Sequence, residues 1–207
     1  MDDVLERVAA LGIELRRSQA LDFGCGVGRL TQSLCKHFEQ CCGVDIAPSM
    51  LRLAQQRNRY GMRCRYELNV VPNLRLFPDG AFDFIYSSLV LQHMPTRRAK
   101  GYIREFLRVL APCGCLVFRL PSHPRQALPY GVRVLLWGYW LCADSLIALR
   151  QRRVQPRMEM YGMAQQKVGD LITGEGGEIR AICPDDSAGP DWISFLYVVT
   201  KPAPGRL

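Results

Sequence analysis

Only three histidines occur in 207 residues, scattered at positions 37, 93 and 123, and no two cysteines stand in a C-x-x-C pair. Ligands at zinc spacing are thus absent, and no metal is expected. Two phosphate-cradling fingerprints are missing as well. The P-loop G-x-x-x-x-G-K-[ST] does not occur. G-x-G-x-x-G fails at its last position, which is Arg29 counted from Gly24 and Thr31 counted from Gly26. No low-complexity tract or long Pro/Ser linker divides the chain, so residues 1–207 are expected to form a single domain. There is no continuous apolar leader, because Glu6, Arg7 and Glu14 interrupt Val4 to Leu15. The expected location is cytoplasmic. The nine cysteines are then expected to stay reduced and to serve as small apolar packing residues.

Lys and Arg exceed Asp and Glu by eight charges. The basic residues are spread along the chain, except for Arg150, Arg152, Arg153 and Arg157, and no aromatic-interleaved basic ribbon accompanies them. Nucleic acid is therefore the less favoured partner, and a solvated surface the preferred reading.

Apolar spacing alternates between strand and helix. Val4 to Leu15 reads as a helix weakened by Gly12; Ala20 to Phe23 as strand one; Arg29 to Phe38 as a helix; and Cys41 to Asp45 as strand two. A helix opening at Pro48 stops by Gly61, and Arg63 to Leu68 is strand three. Ala81 to Ser88 is a fully buried strand, Thr96 to Leu110 a helix and Cys115 to Leu120 strand five. After a helix over Met163 to Ile172, Ile179 to Cys183 and Ile193 to Thr200 are separated by a link too short for a crossover helix. That makes the last two strands antiparallel. The fold class is α/β: a doubly wound, Rossmann-like sheet of mostly parallel strands.

Leu21-Asp22-Phe23-Gly24-Cys25-Gly26-Val27-Gly28 is the most informative run. An apolar strand breaks into alternating glycines and then a helix, which builds a tight turn whose backbone a ligand can touch. About twenty residues on, Asp45 ends strand two, where a βαβ unit places an acid able to accept both hydroxyls of a ribose. The site is expected to hold a nucleoside.

The pattern D-x-G-x-G-x-G followed by Asp45 resembles the class I S-adenosylmethionine-dependent methyltransferases. The resemblance covers nearly the whole chain and implies a seven-stranded sheet ending in a reversed hairpin, with S-adenosylmethionine as cofactor. It implies Gly24, Cys25, Gly26 and Gly28 for the turn at the methionine part and Asp22 for orienting the cofactor's amino group. It further implies Asp45 for the ribose, and Ile46 and Met50 for the adenine face. Phe82 to Met94 is similar to the family's fourth strand and following turn, which sets Ser87 and Leu89 beside the methionine end, with Asp83 structural at the strand entrance. Cys113 stands where a second glycine is common. The acid that often bonds the adenine amino group is replaced in Glu67-Leu68-Asn69-Val70-Val71 by Asn69 or Val70; an Asn oxygen accepts the same bond, and a loop cap is the other reading of Asn69.

Methyl transfer from a sulfonium depends mostly on proximity and exclusion of water. A hydroxyl acceptor also benefits from a base. His93, just beyond strand four, is the candidate catalytic residue, with packing as its alternative; Glu159 and Tyr161 are second choices. The absence of N-P-P-[YF] at Ser87-Ser88-Leu89-Val90 argues against exocyclic amines. O-methylation of a small-molecule or lipid- or sugar-linked acceptor is the preferred reading. An RNA or protein substrate, or a catalytically silent cofactor-binding module, are the others. Residues 125–161 form an insertion: a lid or cap helix, simple packing over the sheet, or, through 132–157, a peripheral membrane contact.

Overall fold

The computed structural model describes residues 1–125 and 159–203. In chain order the elements are α1 (Asp2–Ala10), β1 (Gln19–Phe23), α2 (Arg29–Leu34), β2 (Gln40–Asp45), α3 (Pro48–Gln56), β3 (Cys64–Leu68), β4 (Phe82–Ser87), α4 (Thr96–Val109), β5 (Leu110–Pro124), α5 (Gln165–Gly174), β6 (Glu178–Asp185) and β7 (Trp192–Thr200). One sheet holds all seven strands in the order β3-β2-β1-β4-β5-β7-β6. The first five run parallel, while β7 is antiparallel to both β5 and β6. The short link between β6 and β7 forces that reversal, as the sequence reading expected.

Two apolar layers sandwich the sheet. Leu21, Ile85, Leu116 and Phe118 face α4 and α5, where Ile103, Phe106, Val168 and Ile172 are buried. Ala20, Phe84, Tyr86 and Val117 turn the other way toward Leu5, Val8, Leu34 and Ala54 of α1, α2 and α3. This alternation is the period-two consequence of strand geometry. Phe38 stacks on Phe84 at 5.3 Å between ring centroids, and burying each such ring is worth about 1.5–3 kcal/mol.

Among the element boundaries that differ from expectation, three have a clear local reason. The first helix stops at Ala10 rather than Leu15, because Gly12 follows in the left-handed region at φ +69°. Helix α2 ends at Leu34 rather than Phe38. Its last turn tightens to Lys36 N→Ser33 O and His37 N→Leu34 O bonds, and the Arg63 guanidinium takes the carbonyls of Cys35, Phe38 and Glu39. Strand β5 runs from Leu110 to Pro124 instead of Cys115 to Leu120, with register shifts opposite Phe82/Phe84 and at Pro121/His123 absorbing its prolines. Cys113, at the expected glycine position, has φ +61°. Lys201 Nζ donates to the carbonyls of Leu107 and Leu110, closing the end of α4. Asp83 Oδ2 accepts the amides of Ser18 and Gln19 and so anchors the entrance of β1.

The proposed lid, cap helix or membrane-contact segment within 125–161 falls almost entirely on residues outside those described. Among the described residues no helix is long and apolar enough to cross a membrane, and no cluster of three metal-ligating side chains occurs.

Candidate active site

The site lies at the C-terminal ends of β1, β2, β3 and β4, where open α/β sheets bind ligands. β1 ends at Phe23, and Gly24, Gly26 and Gly28 follow with φ of 78°, 52° and 77°. The Gly24 and Cys25 amides both donate to the Val44 carbonyl, pinning the turn to β2. A Cβ on Gly24 would come 2.1 Å from Val90, and one on Gly28 would come 2.3 Å from the Tyr66 hydroxyl. Above Gly26 a Cβ would meet nothing within 4 Å. Thus two glycines permit packing, while the middle one opens its backbone to whatever binds.

Asp45 joins the turn to β2. Its Oδ2 accepts the Gly26 amide at 2.8 Å and its Oδ1 the Ala47 amide at 2.9 Å. Each carboxylate oxygen keeps a further lone pair for a ligand. Asp22 is 2% exposed and accepts the Thr31 hydroxyl at 2.7 Å. Burial pushes its carboxyl up to about 6, against the Thr31 hydrogen bonds and with a smaller push from the Asp45 charge. Burial also raises the Cys25 thiol far above its usual range, so that side chain stays neutral and its backbone serves the turn.

Ile46 and Met50 are exposed apolar side chains just beyond β2, and Val70 is another beyond β3. The Asn69 amide donates to the Asp45 carbonyl, so these strand ends are joined. Asn69 Nδ2 donates to the Asn73 carbonyl at 2.8 Å, which is the loop-capping arrangement, and leaves Oδ1 as its acceptor end. Ser87, closing β4, is fully buried, and its Oγ has no hydrogen-bond partner among the described residues. Leu89 follows at φ +61°, a costly conformation for a non-glycine residue that directs Val90 against Gly24.

His93 ends a one-turn 3-10 helix, Leu91–His93. Its Nε2 lies 3.2 Å from Gln92 Nε2 and its Nδ1 3.4 Å from the Glu159 carbonyl oxygen. The returning segment is tied to the same turn by Tyr161 N→Gln92 O at 2.8 Å, and the Tyr161 hydroxyl donates to the Glu159 carboxylate. The candidate binding and catalytic residues therefore lie at or just beyond the C-terminal ends of β1, β2, β3 and β4. Thr31, Val90 and Gln92 join them without having been singled out, since their roles depend on partners that spacing does not disclose.

Residues 20–114 match the family described as a methyltransferase domain. That stretch holds the glycine turn, Asp45, Ser87 and His93. Over that stretch, less than half of the 207 residues, the chain is similar to methyltransferase domains. The chain is 33% identical over 116 residues to malonyl-[acyl-carrier protein] O-methyltransferase of Serratia marcescens, covering 56% of this chain and 43% of that one. It is 32% identical over 113 residues to ajmaline N-methyltransferase of Rauvolfia serpentina, covering 53% and 38%. The match thus spans less than half the length of either relative. The fold is that of magnesium protoporphyrin IX methyltransferase from Synechocystis PCC 6803, crystallised with S-adenosylhomocysteine, at TM-score 0.65 and 20% identity over 97% of this chain and 81% of that one.

Proposed function

We propose that the protein transfers the methyl group of S-adenosylmethionine to an oxygen of a small-molecule or lipid- or sugar-linked acceptor. The observation that carries this reading is the Asp45–Gly26 bond beside the open space over Gly26, a carboxylate and a bare backbone presented together. The buried, unpartnered Ser87 hydroxyl adds a polar atom in want of a ligand at the neighbouring strand end. O-, N- and quinone-directed relatives share the domain (the last a demethylmenaquinone methyltransferase), so the choice of oxygen rests on the absent N-P-P-[YF] motif and on His93.

The cofactor, when bound, supplies an electrophilic methyl on a positively charged sulfur that leaves as a neutral thioether. Asp45 accepts the ribose hydroxyls, and Ile46 and Met50 cover the adenine, whose amino group the Asn69 oxygen meets. Gly24, Cys25, Gly26 and Gly28 let the backbone approach the methionine part. Asp22 offers negative charge toward its ammonium, and Ser87 caps the same end. His93 takes the proton of the acceptor hydroxyl. Binding and orientation supply most of the rate, and His93 removes the cost of releasing a proton into a site closed to water.

Two measurements test this. Calorimetry should give binding of S-adenosylmethionine and S-adenosylhomocysteine and none of NAD; NAD binding without a response to either sulfur nucleoside would overturn the reading. Incubation with methyl-labelled cofactor and a panel of phenols, hydroxy acids and lipid-linked alcohols should place label on oxygen, and label on amines alone would refute the oxygen assignment.

Replacing Asp45 by alanine should weaken S-adenosylhomocysteine binding by about 1.5 to 3 kcal/mol, the range for charge-assisted hydrogen bonds. The same change frees the Gly26 amide, so part of the loss comes from a loosened turn. Unchanged affinity in the folded variant rules out the ribose role.

A further inference from the structure

We infer that Gln92 is the positioning residue of His93: its side-chain amide donates to the bare, proton-accepting ring nitrogen in the resting site and turns over once that nitrogen is protonated. The inference rests on the reading of His93 as the proton acceptor.

The Glu159 carbonyl oxygen faces His93 Nδ1 at 3.4 Å. A carbonyl oxygen only accepts, so Nδ1 carries the ring proton. In a neutral imidazole Nε2 is then unprotonated, and its lone pair meets Gln92 Nε2 at 3.2 Å, an amide nitrogen that donates. Each contact requires the other. The alternative neutral form, with the proton on Nε2, sets the bare Nδ1 against the carbonyl lone pairs, whichever way the amide points. The main chain of the returning segment thus selects the tautomer, and the amide responds to it.

Turnover reverses the demand at Nε2 alone. An acceptor hydroxyl would displace the amide and give its proton to Nε2. Its oxygen forms the bond to the methyl carbon as the carbon–sulfur bond breaks and that electron pair returns to sulfur. The ring is then an imidazolium with N–H on both nitrogens. Nδ1 keeps its carbonyl, and once the product has left, Nε2–H meets the N–H of the returning amide unless that amide rotates half a turn and offers Oε1. The terminal torsion of glutamine is broad and roughly two-fold, so this rotation meets little resistance. Gln92 is 7% exposed, so solvent supplies no easy substitute for either end of the amide. Among the described residues, the titratable groups on the elements that meet at His93 are Glu159 and Tyr161, bonded to each other, and Arg97 and Arg98 in the first turn of α4.

The test needs no knowledge of the acceptor. Full-length protein labelled with ¹⁵N-histidine is examined by two-bond ¹H–¹⁵N correlation at about pH 9, well above the usual imidazole range, with the His93 signals assigned by their loss in His93→Ala. The protonated-Nδ1 form should dominate in the wild type and in Gln92→Met alike, because the Glu159 carbonyl sets it. Loss of the amide's hydrogen bond should shift the Nε2 resonance of the methionine variant. Gln92→Glu, which presents only acceptors, should keep the imidazolium to higher pH. Should the methionine variant not fold, the wild-type spectrum and the glutamate variant decide. A dominant protonated-Nε2 form in the wild type, or nitrogen shifts unmoved by both substitutions, overturns the inference. Titrating the same samples with S-adenosylhomocysteine separates the failures. Retained binding with the wrong tautomer removes only Gln92's role, whereas absent binding removes the methyltransferase reading with it.

Discussion

With alanine in place of His93, methyl transfer should slow by about 10²- to 10⁴-fold, the usual contribution of a positioned base, while cofactor affinity stays nearly unchanged. The separation follows from where the residue sits. His93 is partly exposed at the end of a single 3-10 turn, outside both apolar layers and beyond the glycine turn. Among the described residues its ring hydrogen-bonds Gln92 and the Glu159 carbonyl. Removing the ring therefore empties little core, and the melting temperature should barely move. The defect should be largest near neutral pH and shrink as the pH rises and acceptor hydroxyls ionise unaided. Full turnover in folded His93→Ala would remove it from the mechanism and direct attention to Glu159 and Tyr161. A fall in stability that accounts for the whole rate loss would make it a packing residue instead.

The second large effect concerns Asp22 and pH. Burial raises its carboxyl from 3.8 to about 6 in the fold. A raised acid is bound to its proton more tightly in the native state, so its contribution to stability is full below about pH 4 and is lost as the pH climbs through about 6. The difference in protonation corresponds to about 3 kcal/mol. Asp22→Asn keeps an acceptor for the Thr31 hydroxyl and never ionises. It should match the wild type near pH 3.5 and exceed it by about 3 kcal/mol at pH 7.5 in denaturant unfolding. The ammonium of the cofactor's methionine part should draw Asp22 back to its charged form. Wild-type affinity for S-adenosylhomocysteine should consequently increase between pH 5 and 7, with that increase absent in the asparagine variant. Equal stability of the two proteins at pH 7.5 contradicts the burial argument, and a flat binding profile in the wild type contradicts the ammonium role.

Features encoded over short stretches of sequence were legible in advance. The glycine turn, the acid closing β2 and the reversed hairpin each depend on residues adjacent in the chain or on the length of one link. What stayed hidden needed a distant partner. Asp22 was singled out, but its holder Thr31 becomes visible only when α2 folds back over β1. The helical spacing of Leu34 and Phe38 is real, and both are buried, yet the helix closes at Leu34 because Arg63 from the start of β3 takes the carbonyls that would have continued it. Pro121 and Pro124 read as the end of a strand; β5 continues through them, since the hairpin strand β7 accepts a shifted register there. Gln92 looked like any polar residue after a strand, and only the position of His93's ring gives its amide a task.

The Arg63 contacts carry a consequence for how the molecule breathes. One guanidinium bonds the main chain at Cys35, Phe38 and Glu39, so the end of α2, the start of β2 and the start of β3 share a single knot on the side of the sheet opposite the glycine turn. Local opening of any one of them forfeits the bonds of all three. In native-state hydrogen exchange the protected amides of α2, β2 and β3 should therefore exchange as one cooperative unit, with a common opening free energy that splits into separate values when Arg63 is replaced by methionine.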